Sequence, residues 1–211
     1  FNKKVGTVSL GFLAEGFYTR LEDAFANEPS EPDANGTVTY TRINAEKGAS
    51  VMGINTELNV VPMAELAFKA GFTYQISRYE EVQVFDSKDF MRTPTDYGFI
   101  TIDWEPNKRF GASITGNYTG KMYLEYYGNT LANPENGELR ESDPFFDMGI
   151  KGRFNTKING ATLQLYAGVK NLFNSYQNDF DSGDTRDPGY VYGPQLPRTI
   201  YIGVKIGNLL R

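Results

Sequence analysis

The chain has no cysteine and no histidine. Without cysteine there is no disulfide, no thiolate metal site and no sulfur nucleophile. Without histidine the usual general base near neutral pH and the commonest metal ligand are gone as well. Long apolar runs are equally scarce: none reaches the roughly 18 residues that a membrane helix needs. Mean hydropathy is -0.45. An excess of basic charge is missing too. The net charge of -5 and a pI near 4.9 set the chain against nucleic acid, which wants a basic face. No signal peptide opens the sequence, and the strand pattern begins almost at once, so the natural N-terminus is expected further upstream.

What the chain does have is a two-residue alternation from residue 4 to residue 209, in eight ribbons. In 161-ATLQLYAGVKNLF-173, Leu163, Leu165, Ala167 and Val169 share one face, and Gln164, Tyr166, Gly168 and Lys170 the other. The last ribbon sets Ile200, Ile202, Val204 and Ile206 against Tyr201, Gly203, Lys205 and Gly207. Successive strand residues point to opposite faces. An apolar face backed by Lys, Gln, Asn and Gly needs hydrocarbon on one side and water on the other, which is the demand a transmembrane β-barrel meets. A β-sandwich core alternates in the same way, but its strands average about 5–6 residues, and these ribbons are about twice that.

The eight ribbons are read as residues 4–21, 38–60, 64–84, 95–105, 109–127, 145–157, 161–173 and 198–209, with a tight turn at Val61-Pro62-Met63. Long connections follow the first, third, fifth and seventh ribbons. Short turns follow the second, fourth and sixth, among them Pro106-Asn107-Lys108 and Asn159-Gly160, the last a strong hairpin signal. Outer-membrane barrels keep long loops outside and short turns in the periplasm, so the chain is expected to start and end on the periplasmic side. Tyr18, Tyr74, Tyr118 and Phe146 fall near the long-loop ends, and Trp104, Phe110 and Phe154 near the short turns, as two interfacial girdles require. The inward set is Glu57, Lys69, Asp103, Lys121, Glu125, Lys151, Arg153, Lys170 and Lys205.

Few residues suggest chemistry. Glu80-Glu81 and Glu22-Asp23 are adjacent on their strands and point apart, so neither pair can act on one bond. The chain is therefore read as no enzyme. In 177-QNDFDSGDTRDPG-189, Asp179, Asp181, Asp184 and Asp187 crowd a flexible loop of the kind that wraps calcium. No Glu closes a twelve-residue loop there, so a solvated acidic loop is the simpler reading, and no other cofactor is expected. Loop aromatics Phe85, Phe90, Tyr126, Tyr127, Phe180, Tyr190 and Tyr192 could stack on a planar or chelated ligand, and Arg92, Arg140 and Arg186 could meet an anionic one. The plain alternative is that they pack the loops together.

The stretch from residue 168 to 206 resembles the C-terminal end of TonB-dependent outer-membrane receptors. The marks are Val169-Lys170-Asn171-Leu172-Phe173-Asn174, the acidic loop, Tyr192-Gly193-Pro194 and the Leu196-Pro197-Arg198-Thr199 lead-in to the last ribbon. The segment 47-KGASVMGINTELN-59 resembles the family's Gly-rich approach to a Glu-bearing strand, and 117-NYTGKMYLEYYG-128 resembles the ferric-enterobactin and cobalamin receptor branch, particularly in Bacteroidetes. Many such barrels finish on an aromatic, whereas this chain ends Asn208-Leu209-Leu210-Arg211.

The resemblance implies an all-β, transmembrane antiparallel barrel of about 22 strands, with residues 1–211 supplying the eight C-terminal strands and no counterpart of the plug or earlier strands. It further implies a bacterial outer-membrane importer of a scarce nutrient, an iron–siderophore or cobalamin. The implied partners are the bilayer, the remaining strands and plug, TonB through the N-terminal part, and in some relatives a surface lipoprotein. Two alternatives stand beside it: a self-contained eight-stranded barrel with an adhesive or structural role, and a SusC-like glycan or peptide importer. On the face assignment, Arg at Ile202 meets lipid, whereas Arg at Gly203 next door points to the lumen.

Overall fold

The computed structural model describes residues 1–30, 33–34, 39–128 and 130–207. The strands are β1 (Asn2–Val5), β2 (Val8–Leu21), β3 (Phe25–Pro29), β4 (Tyr40–Asn44), β5 (Ala49–Met63), β6 (Leu66–Tyr79) and β7 (Asp96–Trp104). They continue with β8 (Phe110–Thr119), β9 (Tyr123–Tyr126), β10 (Glu138–Glu141), β11 (Phe145–Ile158), β12 (Ala161–Lys170) and β13 (Thr199–Gly207). One nine-stranded antiparallel sheet runs β1-β2-β5-β6-β7-β8-β11-β12-β13. The hairpins β3–β4 and β9–β10 stand apart from it as small sheets of their own.

Register turns the alternation into two continuous surfaces. Across mid-sheet, Phe12 pairs with Leu58, Leu58 with Ala70, Ala70 with Ile100, Ile100 with Gly116 and Gly116 with Met148. Ile150–Val169–Ile200 and Phe154–Leu165–Val204 carry the same face to the far edge. The opposite face runs Asn59–Lys69–Thr101–Thr115 and Ser113–Lys151–Gly168–Tyr201. With a period of two, a one-residue slip would exchange the faces, so the apolar belt itself locks the register.

The apolar face is bare. Ile200 is 76% and Ile202 85% exposed, and Leu58, Phe72, Ile100 and Leu165 are exposed with them. A hydrophobic surface of this extent needs a hydrocarbon cover. The girdle residues Tyr18, Tyr74, Tyr118, Phe146, Trp104, Phe110 and Phe154 all share this face by register.

Several expected boundaries move, each for a local reason. The first ribbon is two strands, because the turn at Gly6-Thr7, with Gly6 at φ 62, folds β1 back on β2 and pairs Val5 with Val8. The first residue therefore lies opposite Phe12, part-way along β2, and not at the short-turn end. The second ribbon, whose expected start at Val38 lies outside the described residues, breaks at residues 45–48; its first part leaves the sheet to pair with β3. The turn expected at Val61-Pro62-Met63 falls at Ala64-Glu65. Pro62 is tolerated because the ladder slips between Val60 and Met63, which frees its position from donating. The third ribbon ends as a strand at Tyr79, and the fifth at Thr119. Lys121 and Glu125, expected on the lumen face, therefore belong to the loops above it. The chain's final residues, 208–211, lie outside the described residues.

The remaining topology follows the sequence reading. Asn159 and Gly160 both take positive φ, 50° and 83°, as the tight hairpin between β11 and β12 requires. Long connections follow β2, β6, β8 and β12, and short ones follow β5, β7 and β11. The sheet does not close: among the described residues β1 and β13 are its two edges and do not pair. A self-closed small barrel would have joined them. An unpaired edge such as β13, nine residues long, is a template for further strands.

Candidate functional site

The long connections converge into a cap above the sheet, and there the deeply buried side chains collect. Leu124, Tyr126, Tyr190 and Tyr192 form the buried hydrophobic cluster, with Met122, Leu131 and Phe145 against it. β9 makes this possible. Pairing with β10 holds Leu124 opposite Arg140 and Tyr126 opposite Glu138, with Leu124 and Tyr126 on one face of the hairpin. The Tyr126 and Tyr190 rings meet edge-on at 4.9 Å, and those of Tyr190 and Tyr192 at 5.9 Å. The Arg140 guanidinium lies 3.4 Å from the Tyr126 ring centre and 5.6 Å from that of Tyr190, while its Nε donates to Glu138. A half-buried cation over an aromatic face contributes on the order of 1 kcal/mol.

Asp179 ties the cluster together. Its carboxylate accepts the Tyr190 hydroxyl at 2.5 Å and the Tyr192 hydroxyl at 2.6 Å. Burial alone would raise its pKa, but these two donors outweigh it and hold the carboxyl below its usual range. Burial followed by the bond to Asp179 pushes the Tyr190 phenol up, and the same causes push Tyr192 up to about 12. Burial also raises Glu125, against the pull of Arg92.

The other acidic residues of this loop are engaged as local acceptors. Asp181 accepts from the Asp187 and Ser182 amides, and Asp187 from the Tyr127 and Gly189 amides. Asp184 is exposed. Among the described residues no group of three acidic side chains is arranged to hold a metal.

The sequence candidates thus divide. Tyr126, Tyr190, Tyr192 and Arg140 come together, but as packing: Tyr126 and Tyr190 are each 1% exposed. Arg92 clamps the last long loop by donating to the carbonyls of Gly189 and Val191. Tyr127 bonds the hydroxyl of Tyr40 and lies 5.9 Å from the Phe85 ring; Phe90 stacks on Tyr79 at 4.6 Å. Phe180, 56% exposed, and Arg186 remain at the surface.

Three residues escaped the sequence reading. Leu124 sits in an unremarkable ribbon. Gln177 donates to the Tyr190 carbonyl and accepts from the Tyr192 amide. Asn171 donates to the carbonyls of Ser175 and Leu196, closing the base of the loop. Asn171 belongs to the Asn-Leu-Phe-Asn run already noted; asparagine is a turn former that tolerates positive φ, and it takes φ 47° here.

Comparison with known proteins agrees with this architecture. Residues 4–172 match the family model described as TonB dependent receptor-like, beta-barrel. No curated protein sequence matches. Among solved structures, the copper transporter OprC superposes with a TM-score of 0.66 at 16% identity, over 96% of this chain and 29% of that one. The ferric enterobactin receptor PfeA of Pseudomonas aeruginosa gives 0.64 at 18%, over 98% and 29%. The ferric-catecholate import receptor Fiu of Escherichia coli K12 gives 0.57 at 17%, over 94% and 25%. At these identities the structures speak for the fold, and the chain spans under a third of their length. With four-fifths of its residues matched by the family model, the chain belongs to the β-barrel family of TonB-dependent receptors.

Proposed function

We propose that this chain is the C-terminal part of the wall of an outer-membrane receptor that imports a scarce nutrient, an iron–siderophore or cobalamin. One observation carries the reading: a single sheet with a bare apolar face, a polar face and two open edges is a wall segment that needs further strands. Family membership supports the setting, the plug inside the barrel and the energy supply through TonB. The solved neighbours that are named as receptors for iron carriers favour iron among the cargoes.

The chain contributes no acid–base or nucleophilic machinery to this role. Its part is to separate hydrocarbon from a wet lumen and to hold a loop cap over the mouth. Within the cap the buried tyrosines fix the loops, and the surface aromatics and cations, Phe180 and Arg186 first among them, face an incoming chelate. Deleting the intact gene should abolish growth on one ferric carrier under iron limitation, and restoring it should restore growth. Unchanged growth on every ferric carrier and on cobalamin would refute the assignment.

A further inference from the structure

The polar face is not uniform in charge. Over β1–β6 it balances, with Lys4 and Lys69 against Glu15 and Glu57, and Lys69 pairs with Glu57 at 3.1 Å. Over β11–β13 the same face carries Lys151, Arg153, Lys157, Lys170 and Lys205 against Asp147. Lys108 and Arg109, in the turn between β7 and β8, extend it. They line one open cavity of about 770 Å³ with Glu105, Arg153, Asn155 and Lys157. Asn155, almost fully buried, fixes that turn: its side chain donates to the Lys108 carbonyl and its amide to the Arg109 carbonyl, while its own oxygen accepts from Gln164.

Counter-charges on this wall are few. Arg153 pairs with Glu105. Among the described residues Lys108, Arg109, Lys151, Lys157 and Lys205 form no ion pair. Asp103 shares a small pocket with Lys151 and Arg153 without pairing with either. In a chain with net charge -5, Lys108, Arg109, Arg153, Lys157 and Lys205 share the short-turn end of this face, with Glu105 and Asp103 as the acidic groups beside them, while Lys170 lies at its loop end. Charge of one sign inside a walled lumen focuses the field and favours a partner of the opposite sign.

We propose that the β11–β13 wall, at its short-turn end, docks an acidic surface of the protein segment that fills the lumen, making this stretch the electrostatic seat of the plug. This rests on the reading of the chain as the wall of a plugged receptor. The position favours a resident protein partner over passing cargo: the patch lies at the end of the lumen away from the loop cap, built partly on a turn that Asn155 holds in place.

The test uses the full-length receptor in planar bilayers, where a seated plug blocks ion current and urea unseats it. Arg109→Glu combined with Lys157→Glu should open the channel about tenfold more readily at a given urea concentration, whereas Lys4→Glu with Lys69→Glu on the balanced wall should do so far less. The wild type should unseat more easily as salt rises, a readout that needs no variant. Heat-modifiable gel mobility reports whether the barrel is intact. Equal urea responses from both variants with intact barrels would overturn the proposal, as would no salt dependence, or altered anion uptake with the plug still seated. A wild-type receptor that conducts without urea has no plug, which sinks the underlying reading itself.

Discussion

The wall and the cap bury opposite things. In the nine-stranded sheet the largest apolar side chains stand in the open, Ile200, Ile202 and Ile206 foremost. In the loops above, which composition marks as polar, Leu124, Tyr126 and Tyr190 are almost completely enclosed. A water-soluble protein has its core inside its sheets. Here the sheet depends on a solvent that is itself hydrocarbon, and only the part projecting into water builds a core of its own. Stability in the two regions should accordingly answer to different mutations and different media.

The sharpest contrast is expected from truncating the cap core. Tyr190→Ala should cost the cap about 3–5 kcal/mol, the usual range for an emptied aromatic site, read as rapid protease cleavage between residues 171 and 198 with the sheet still resistant. Loss of the whole barrel instead would mean that cap and wall are one cooperative unit.

Ile202→Arg should do the converse, destabilising insertion by ~2–4 kcal/mol in vesicle refolding while leaving cap proteolysis unchanged. Gly203 cannot serve as its harmless neighbour, although it does point to the other face. A side chain there collides with the Tyr166 ring. Ser113→Arg is the better control: Ser113 lies on the polar face between Asp103 and Lys151 and should escape the lipid penalty. Equal costs at the two positions would void the face assignment.

Proton binding offers a gentler separation. Tyr192 titrates higher folded than unfolded, about 12 against about 10, so its contribution is complete below pH 10 and is lost as pH rises through the folded value. Asp179 is shifted the other way: its contribution is present above the usual carboxylate pKa and lost as pH falls through its lowered one. Hydrogen exchange of the 171–198 loop should therefore accelerate at both extremes, and Tyr192→Phe should blunt the alkaline limb. A loop whose exchange follows intrinsic rates alone would contradict both shifts.

The smallest effect is expected at Phe180. With its ring at the surface, Phe180→Ala should move cap stability by no more than about 0.5 kcal/mol, so any loss of cargo binding can be read as lost contact.

Much of this is legible in the sequence. The eight ribbons became strands or pairs of strands, the long and short connections alternated as read, and Asn159-Gly160 turned where its chemistry said. The failures share a cause. Alternation does not stop at a two-residue turn, so Gly6-Thr7 was invisible inside a continuous pattern. Nor does it stop where a strand leaves its sheet, so 123–126 looked like the upper half of β8. Of the candidate loop residues, Tyr126, Arg140, Tyr190 and Tyr192 meet in one cluster, but burial, which the sequence does not print, makes them packing. A tyrosine aimed at a ligand and one aimed at another tyrosine read the same in sequence.

The sequence by itself settled which side chains share a face, because the pleat has a period of two and admits no other arrangement. It also settled where the sharpest hairpin falls, because few residues accept positive φ. Only the tertiary structure decided which loops meet, that Asp179 is committed to two tyrosines, and that Lys108, Arg109, Arg153 and Lys157 share one cavity at the short-turn end of the wall. Those are contacts between residues far apart along the chain, fixed by how strands stack side by side, and no local pattern carries that information.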